Sequence, residues 1–199
     1  MIIGITGGTG CGKTTALNAI RQLGGTVIDC DKVYHNLLTT DPALLHAIEN
    51  RFPGTVKKGI LDRKQLGSMV FSDPNALKDL NTITHNAVKA EVCRMLDTNP
   101  KLAAIDAIEL FEGNLAKLCQ VTVAITAPEE VRIPRLMARD QITQEAALQR
   151  IRAQKPESYF RENCDYILEN TGELVAFQEK CLAFFRDLII MKNEISNKE

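Results

Sequence analysis

Eight residues near the start, Gly7-Gly8-Thr9-Gly10-Cys11-Gly12-Lys13-Thr14, read G-x-x-x-x-G-K-T. These residue types suit gripping a chain of phosphates. Glycines let the backbone turn tightly and approach phosphate oxygens with no Cβ in the way. The loop amides can then converge as a nest of donors. The N-terminal end of a following helix adds positive potential. Lys13 would set a cation against the β- and γ-phosphates, and the Thr14 hydroxyl would help hold Mg2+. A bland strand-to-helix turn needs neither the Lys-Thr pair nor so many glycines.

Phosphoryl transfer also needs groups for the acceptor and for the developing charge. Asp29 and Asp31 close an apolar run. On a strand, residues two apart face the same way. Either carboxylate could orient an acceptor hydroxyl and take its proton; the alternative for Asp31 is a helix N-cap. Asp106 ends another apolar run, where a carboxylate can hold a metal ion or instead cap the next helix. Glu112, six residues on, is ambiguous. Arg132, Arg135 and Arg139 are spaced to share one helix face, as a solvated face or as a lid over phosphates. Pro134 should kink that helix and turn Arg132 away from the other two. Arg150, Arg152 and Arg161 are further lid candidates. His35, His46 and His85 lack metal-ligand spacing. Cys11 adjoins a helix start, which would lower its thiol pKa, although the loop requires only its amide.

These side chains need strand ends and helix starts to place them. Met1 to Thr6 reads as a buried strand, and Ala16, Leu17, Ile20 and Leu23 share a helical face after the loop. Further strands are expected at 26–29, 101–106, 121–126 and 165–169. Helices are expected at 31–39, 42–52, 61–71 and 74–97, the last broken near His85. More follow at 128–139 and 143–154. In the final helix Leu174, Phe177, Cys181, Phe184, Leu188 and Met191 form one core stripe. Residues 51–62 read as an exposed loop. Strands alternating with helices imply a parallel sheet covered on both faces, with ligands at the carboxyl ends of the strands.

The 199 residues fit one domain with insertions. A net charge of -1 argues against a general electrostatic grip on nucleic acid or anionic membrane. Six cysteines with no C-x-x-C pair suit reduced thiols in a cytoplasmic protein. No apolar run nears the roughly 20 residues of a membrane span. Met1 leads straight into the first strand, so no cleavable signal is expected. A monomer is the expected state. A guanine-nucleotide switch is poorly supported, since no N-K-x-D follows the later strands and no D-x-x-G lies near the third.

Block by block, the chain resembles the dephospho-coenzyme A kinase family over nearly its whole length. Gly7 to Thr15 is similar to that family's GGIGSGK[ST]T, and Val27 to Asp31 to its V-D-A-D. Leu61-Asp62-Arg63-Lys64-Gln65-Leu66-Gly67 followed by Val70-Phe71-Ser72-Asp73-Pro74 resembles LDRxxLGxxVFSDP, the most specific block. Leu80 to His85 resembles LNxIxH. Asp106 with Leu110-Phe111-Glu112 resembles D-x-P-L-L-F-E. Arg135 to Asp140, Arg150-Ile151 and Gln154 resemble RLxxRD and RIxxQ. Asp165-Tyr166 and Asn170-Thr171-Gly172 resemble D-Y-x-I-x-N-x-G.

The resemblance implies ATP-dependent phosphorylation of the ribose 3′-hydroxyl of dephospho-coenzyme A. It implies a P-loop kinase fold, three-layer α/β/α with a five-stranded parallel sheet. The core would take about 1–32, 98–128 and 162–199, a helical acceptor-binding insert about 33–97, and a lid about 129–161. Asp31, Lys13 and Arg139 are then catalytic. Gly10, Cys11, Gly12, Lys13, Thr14, Thr15, Arg135, Arg139 and Asn170 bind ATP. Asp31, His85, Asp106 and Glu112 bind the acceptor, and Thr14 and Asp106 hold Mg2+. The chain departs from the pattern at Cys11, Cys30, Ile108, Glu109 and Asn86. Ile108 and Glu109 replace proline and leucine, which puts the local path after Asp106 in doubt. An acceptor that is another nucleoside or nucleotide is the alternative reading.

Overall fold

The computed structural model describes residues 1–196. The chain divides into two compact units. The first takes Met1–Val27, Pro100–Leu110 and the residues from Ala116 onward; the second takes Ile28–Asn99 and Phe111–Leu115.

The first unit is built on parallel strands, the second of which runs on from it into the second unit at Ile28. In chain order they are β1 (Ile2–Thr6), β2 (Thr26–Asp29), β5 (Ala103–Asp106), β6 (Val121–Thr126) and β7 (Tyr166–Glu169). They form a five-stranded sheet in the order β2-β5-β1-β6-β7. β1 lies in the middle: Ile5 is in register with Asp106 on one side, and Thr6 with Ala124 on the other. β1 is therefore flanked by strands that came much later in the chain, the crossover arrangement of a nucleotide-binding sheet. All six residues of β6 are buried, which explains a continuous apolar and β-branched run rather than an alternating one.

One face of this sheet carries α1 (Lys13–Gln22) and α9 (Leu174–Ser196). Ile3, Ile5, Val121, Val123, Ile125 and Leu168 pack there against Ala16, Leu17, Ile20, Phe177, Cys181 and Phe185. The buried stripe of α9 is Phe177, Cys181, Phe185 and Leu188, so Phe185 rather than Phe184 fills the core, and Leu174 and Met191 are exposed. The spacing of 4, 4 and 3 is the helical face; Phe184 lies one residue off it and instead sets its ring edge to face with Tyr166. On the other face Gly4 leaves room for Leu110 and Cys119, whose atoms would lie 2.8 and 2.9 Å from a Cβ there. Further helices are α6 (Glu129–Asp140), α7 (Gln144–Arg152) and α8 (Glu157–Asn163). Leu136, Ala147 and Ile151 join α6 to α7 in a small apolar cluster. α8 is a helix that the sequence reading did not identify.

The second unit is helical. It contains α2 (Cys30–Thr40), α3 (Pro42–Arg51), α4 (Arg63–Val70) and α5 (Pro74–Leu96), with α2, α3 and α4 packed on α5. Asp41, Asp62 and Asp73 cap α3, α4 and α5 by accepting first-turn amides. Prolines begin α3 and α5, where no amide partner is lost. α5 runs through His85 unbroken. The segment read as a loop at 51–62 holds a hairpin, β3 (Val56–Lys57) with β4 (Ile60–Leu61). Its two turn residues, Lys58 and Gly59, both have positive φ, the turn that matches strand twist. Glu49 steadies its approach by accepting the amides of Gly54 and Val56, each at 2.6 Å. Lysine is an unusual residue for that conformation, so the turn signal was weak in the sequence.

Candidate active site

The loop between β1 and α1 is held by its neighbours at almost every residue. A Cβ on Gly7 would lie 2.1 Å from the Ile125 carbonyl oxygen. Gly12 has φ +101°, and a Cβ there would lie 2.4 Å from Asn170 Nδ2. Gly7 cannot carry a side chain, and one on Gly12 would strain the backbone and displace Asn170. The Cys11 side chain is buried in the core, while its carbonyl accepts from Asn170 Nδ2 at 2.9 Å. Burial pushes the Cys11 thiol pKa up, against opposing pulls from Arg132 and Lys13. The expected lowering by the helix start is overturned because burial of the side chain in the apolar core outweighs the groups that favour the thiolate.

Among the described residues no side chain caps α1, and no acidic residue stands in its first turn. The first amides of a helix lack intrahelical partners, so this end keeps its positive potential for an anion. Lys13 begins α1 and reaches back to the Gly7 carbonyl with Nζ at 2.9 Å. Thr14 is exposed and Thr15 half-buried in the same turn.

Three arginines of α6 converge on this loop. Arg132 donates from Nε to the Thr9 carbonyl at 2.8 Å. Arg135 spans Gly10, at 3.4 Å from its carbonyl, and Asn170 Oδ1, also at 3.4 Å. Arg139 reaches Thr9 Oγ1 at 3.4 Å and holds Asp140 with two shorter bonds of 2.7 and 2.9 Å. Arg150 of α7 joins the same carboxylate at 2.6 Å. These guanidinium groups hold the Asp140 pKa below its ordinary value, the bond to Arg139 being the largest influence. Arg132 was expected to turn away at Pro134. It instead makes the shortest arginine contact with the loop, because α6 continues through Pro134 as one helix.

Asn170 is 3% exposed and links three parts of the site. Its own amide donates to the Thr126 carbonyl at the end of β6 at 2.8 Å; its side chain joins Cys11 and Arg135. Asp106 ends β5 in register with Ile5, one strand over from the start of the loop. The chain after it is pinned by Ala107, whose amide donates to Ile5, and by the Thr6 hydroxyl, which donates to the Ile108 carbonyl at 3.1 Å. Ile108 thus engages the sheet through its backbone, so its side chain is not what sets the path.

The structure brings Gly10, Cys11, Gly12, Lys13, Arg135, Arg139 and Asn170 together by direct contacts, with Thr14 and Thr15 in the adjoining turn. The second unit holds Asp31, His85 and Glu112. Asp31 is exposed in the first turn of α2. β2 ends at Asp29, so strand alternation does not relate the two carboxylates. Asp29, not Asp31, is the cap, accepting the Lys32 amide at 3.0 Å. His85 is half-buried midway along α5, and Glu112 is exposed. Two loop contacts had no site role in the sequence reading: Gln154, which accepts the Thr9 amide at 2.8 Å, and Thr9 itself. The R-I-x-x-Q spacing that ends in Gln154 was the available signal.

The family model described as dephospho-CoA kinase matches residues 1–176. The chain belongs to the dephospho-CoA kinase family. The dephospho-CoA kinase of Deinococcus radiodurans is 34% identical over 192 residues, covering 94% of this chain and 92% of that one. That of Lactobacillus acidophilus is 33% identical over 186 residues, covering 90% and 92%. A crystal structure of a Thermus thermophilus protein superposes with a TM-score of 0.77 at 34% identity, covering 94% of this chain and 97% of that one. Dephospho-CoA kinase from Campylobacter jejuni superposes at 0.68 and 28% identity, covering 96% and 98%. A shikimate kinase from Acinetobacter baumannii, at 18% identity and TM-score 0.54, shares the fold. The chain is thus a kinase of the dephospho-CoA kinase family on a P-loop fold.

Proposed function

We propose that this protein transfers the γ-phosphoryl group of ATP to the ribose 3′-hydroxyl of dephospho-CoA, giving coenzyme A and ADP. The observation that carries this reading is the phosphate loop clasped by Arg132, Arg135 and Arg139 in a chain matched to that family over residues 1–176.

The loop amides, the α1 N-terminus and Lys13 bind the phosphate tail. Lys13 exchanges its bond with Gly7 for phosphate oxygens when nucleotide enters. Arg135 and Arg139 meet charge on the transferring group; Arg139, already exposed and close to Thr9, leaves Asp140 to do so. Asp31 accepts the proton of the 3′-hydroxyl as oxygen bonds to phosphorus and the bond to the leaving ADP oxygen breaks. His85 and Glu112 serve the acceptor from the helical unit, which acts as the acceptor-binding insert, and residues 129–161 act as the lid.

Mg2+ fits the residues available. Thr14 and Asp106 offer hard oxygen donors, and among the described residues no cluster of three or more His, Cys, Asp or Glu could form a dedicated cage. Mg2+ keeps several waters and binds through few protein oxygens plus substrate phosphates. When bound it neutralises charge on the β- and γ-oxygens.

The test is purified protein with ATP, Mg2+ and a panel containing dephospho-CoA, adenosine, nucleoside monophosphates and shikimate. Dephospho-CoA should turn over with phosphate appearing on the 3′ oxygen by phosphorus NMR. Turnover of another acceptor with none on dephospho-CoA overturns the reading.

A further inference from the structure

The backbone of Thr9 is held on both sides by side chains far along the chain. Its amide donates to Gln154 Oε1 at 2.8 Å. Its carbonyl accepts from Arg132 Nε at 2.8 Å. Arg132 Nη2 donates to the same Gln154 oxygen at 3.1 Å. The Thr9 backbone, the guanidinium and the carboxamide close a ring of three hydrogen bonds. Gly8 makes room for it: a Cβ there would lie 2.5 Å from Arg132 Nη2 and 3.2 Å from Gln154 Oε1. The ring is backed by Leu136, Ala147 and Ile151, which fix α7 on α6, and Gln154 anchors its own amide on the Ile151 carbonyl at 3.2 Å.

We infer that Gln154 and Arg132 are positioning residues that preset the third residue of the phosphate loop before nucleotide arrives. The inference rests on reading that loop as the nucleotide site. A peptide plane can rotate, and in a glycine-rich loop rotation is easy. The Thr9 N–H belongs to the Gly8–Thr9 peptide and its C=O to the Thr9–Gly10 peptide, so committing both to one ring stops both planes from rotating, and the amides that follow inherit a fixed direction. A loop ordered in advance loses less entropy on binding. A guanidinium suits this task because its fork reaches two acceptors in one plane. An amide oxygen suits the other corner because it accepts twice without adding a negative charge beside the phosphates. The three arginines therefore divide the work: Arg132 shapes the loop, while Arg135 and Arg139 face what the loop holds.

The experiment compares wild type, Gln154→Met, Gln154→Glu, Arg132→Met and the double methionine variant. Amide exchange of Thr9 is read by NMR on the full-length protein without nucleotide. Wild type should protect Thr9; Gln154→Met should exchange at least about tenfold faster, the equivalent of one lost hydrogen bond. Gln154→Glu keeps acceptor oxygens for both donors and should restore protection. In turnover, Gln154→Met should raise KM for ATP about tenfold and leave kcat and the KM for dephospho-CoA within about twofold, the pattern of lost ground-state binding. Arg132→Met should act alike, and the double variant should lose less than the sum of the two single ones, because both single variants already lose the bond between Arg132 and Gln154. Equal Thr9 exchange in wild type and Gln154→Met, or additive losses in the double variant, overturns the inference. A melting temperature that falls with KM for ATP unchanged does so too. If Gln154→Met does not fold, Arg132→Lys, which keeps the charge and loses the fork, is judged by the same exchange. Failure of the wild type to phosphorylate dephospho-CoA would sink the functional reading and leave the exchange result standing, since no substrate is present in that measurement.

Discussion

The phosphate-loop unit and the helical unit spend their polar side chains differently. Around the loop, Lys13, Arg132, Arg135, Gln154 and Asn170 each bond to backbone of residues 7–11, four of them across more than a hundred positions of chain. In the helical unit the short-range carboxylates Asp29, Asp41, Asp62 and Asp73 are used on helix starts three or fewer residues away. The first pattern fixes a backbone surface before any ligand is present. The second fixes helices and leaves Asp31 exposed and outside the caps. A loop braced from a distance suits a site that must hold still, and an exposed carboxylate outside the caps is available for the acceptor role proposed for it.

The sharpest way to break this contrast is Asp31→Asn. On the proposed role of Asp31 as general base, kcat should fall by about 10²–10⁴, with nucleotide binding and melting temperature nearly unchanged, because Asp29 supplies the cap. A large drop in melting temperature with full activity in the folded fraction would make Asp31 structural and erase the contrast. Lys13→Met comes next. Loss of one preorganised cation should cost about 10²–10³ in kcat/KM for ATP. Calorimetry with ADP should show the weaker binding directly; normal kinetics would remove the loop from the mechanism. Gly12→Ala tests preformation itself. It must strain a backbone at φ +101° and push Asn170 aside, at a cost of about 1–3 kcal/mol. Thermal unfolding should show the loss, and ATP affinity should fall with it because Asn170 also holds Cys11 and Arg135.

The loop, the five strands and most helix starts were legible because each rests on a local rule. G-x-x-x-x-G-K-T, Asp41-Pro42 and Asp73-Pro74 are read within a few residues. The Asp29–Asp31 pair was misread by one step: strand and cap compete for the same residues, and only the Lys32 amide on Asp29 decides where the helix begins. The hairpin was hidden because Lys58 lacks the Asn-Gly signature. Arg132 and Gln154 were undervalued for a different reason. Their partner, Thr9, is 123 and 145 residues away, and no local pattern states which peptide a distant side chain will hold. Pro134 added a misleading signal, since a proline rule predicts a bend without saying how far the next side chains swing.

The smallest expected effect separates the two aspartates by pH. Asp29→Ala should cost about 1 kcal/mol, the usual value of an N-cap, with kcat close to wild type. Burial acts to raise the Asp29 pKa, but the Lys32 amide, the Lys32 ammonium and the Asp31 amide outweigh it and hold the carboxyl below its ordinary value. The ammonium adds little in water, since Lys32 is largely exposed; the amide bond is the durable part. A folded pKa below the unfolded one means the stabilisation is complete above the unfolded value of about 3.9 and drains away as pH falls through the folded value. Wild type and Asp29→Ala should therefore differ in urea midpoint at pH 7 and converge as pH falls through the folded value, below which the carboxyl is protonated in both states. A difference that persists undiminished in acid would mean that Asp29 contributes through packing at the end of β2 and not through the charged cap.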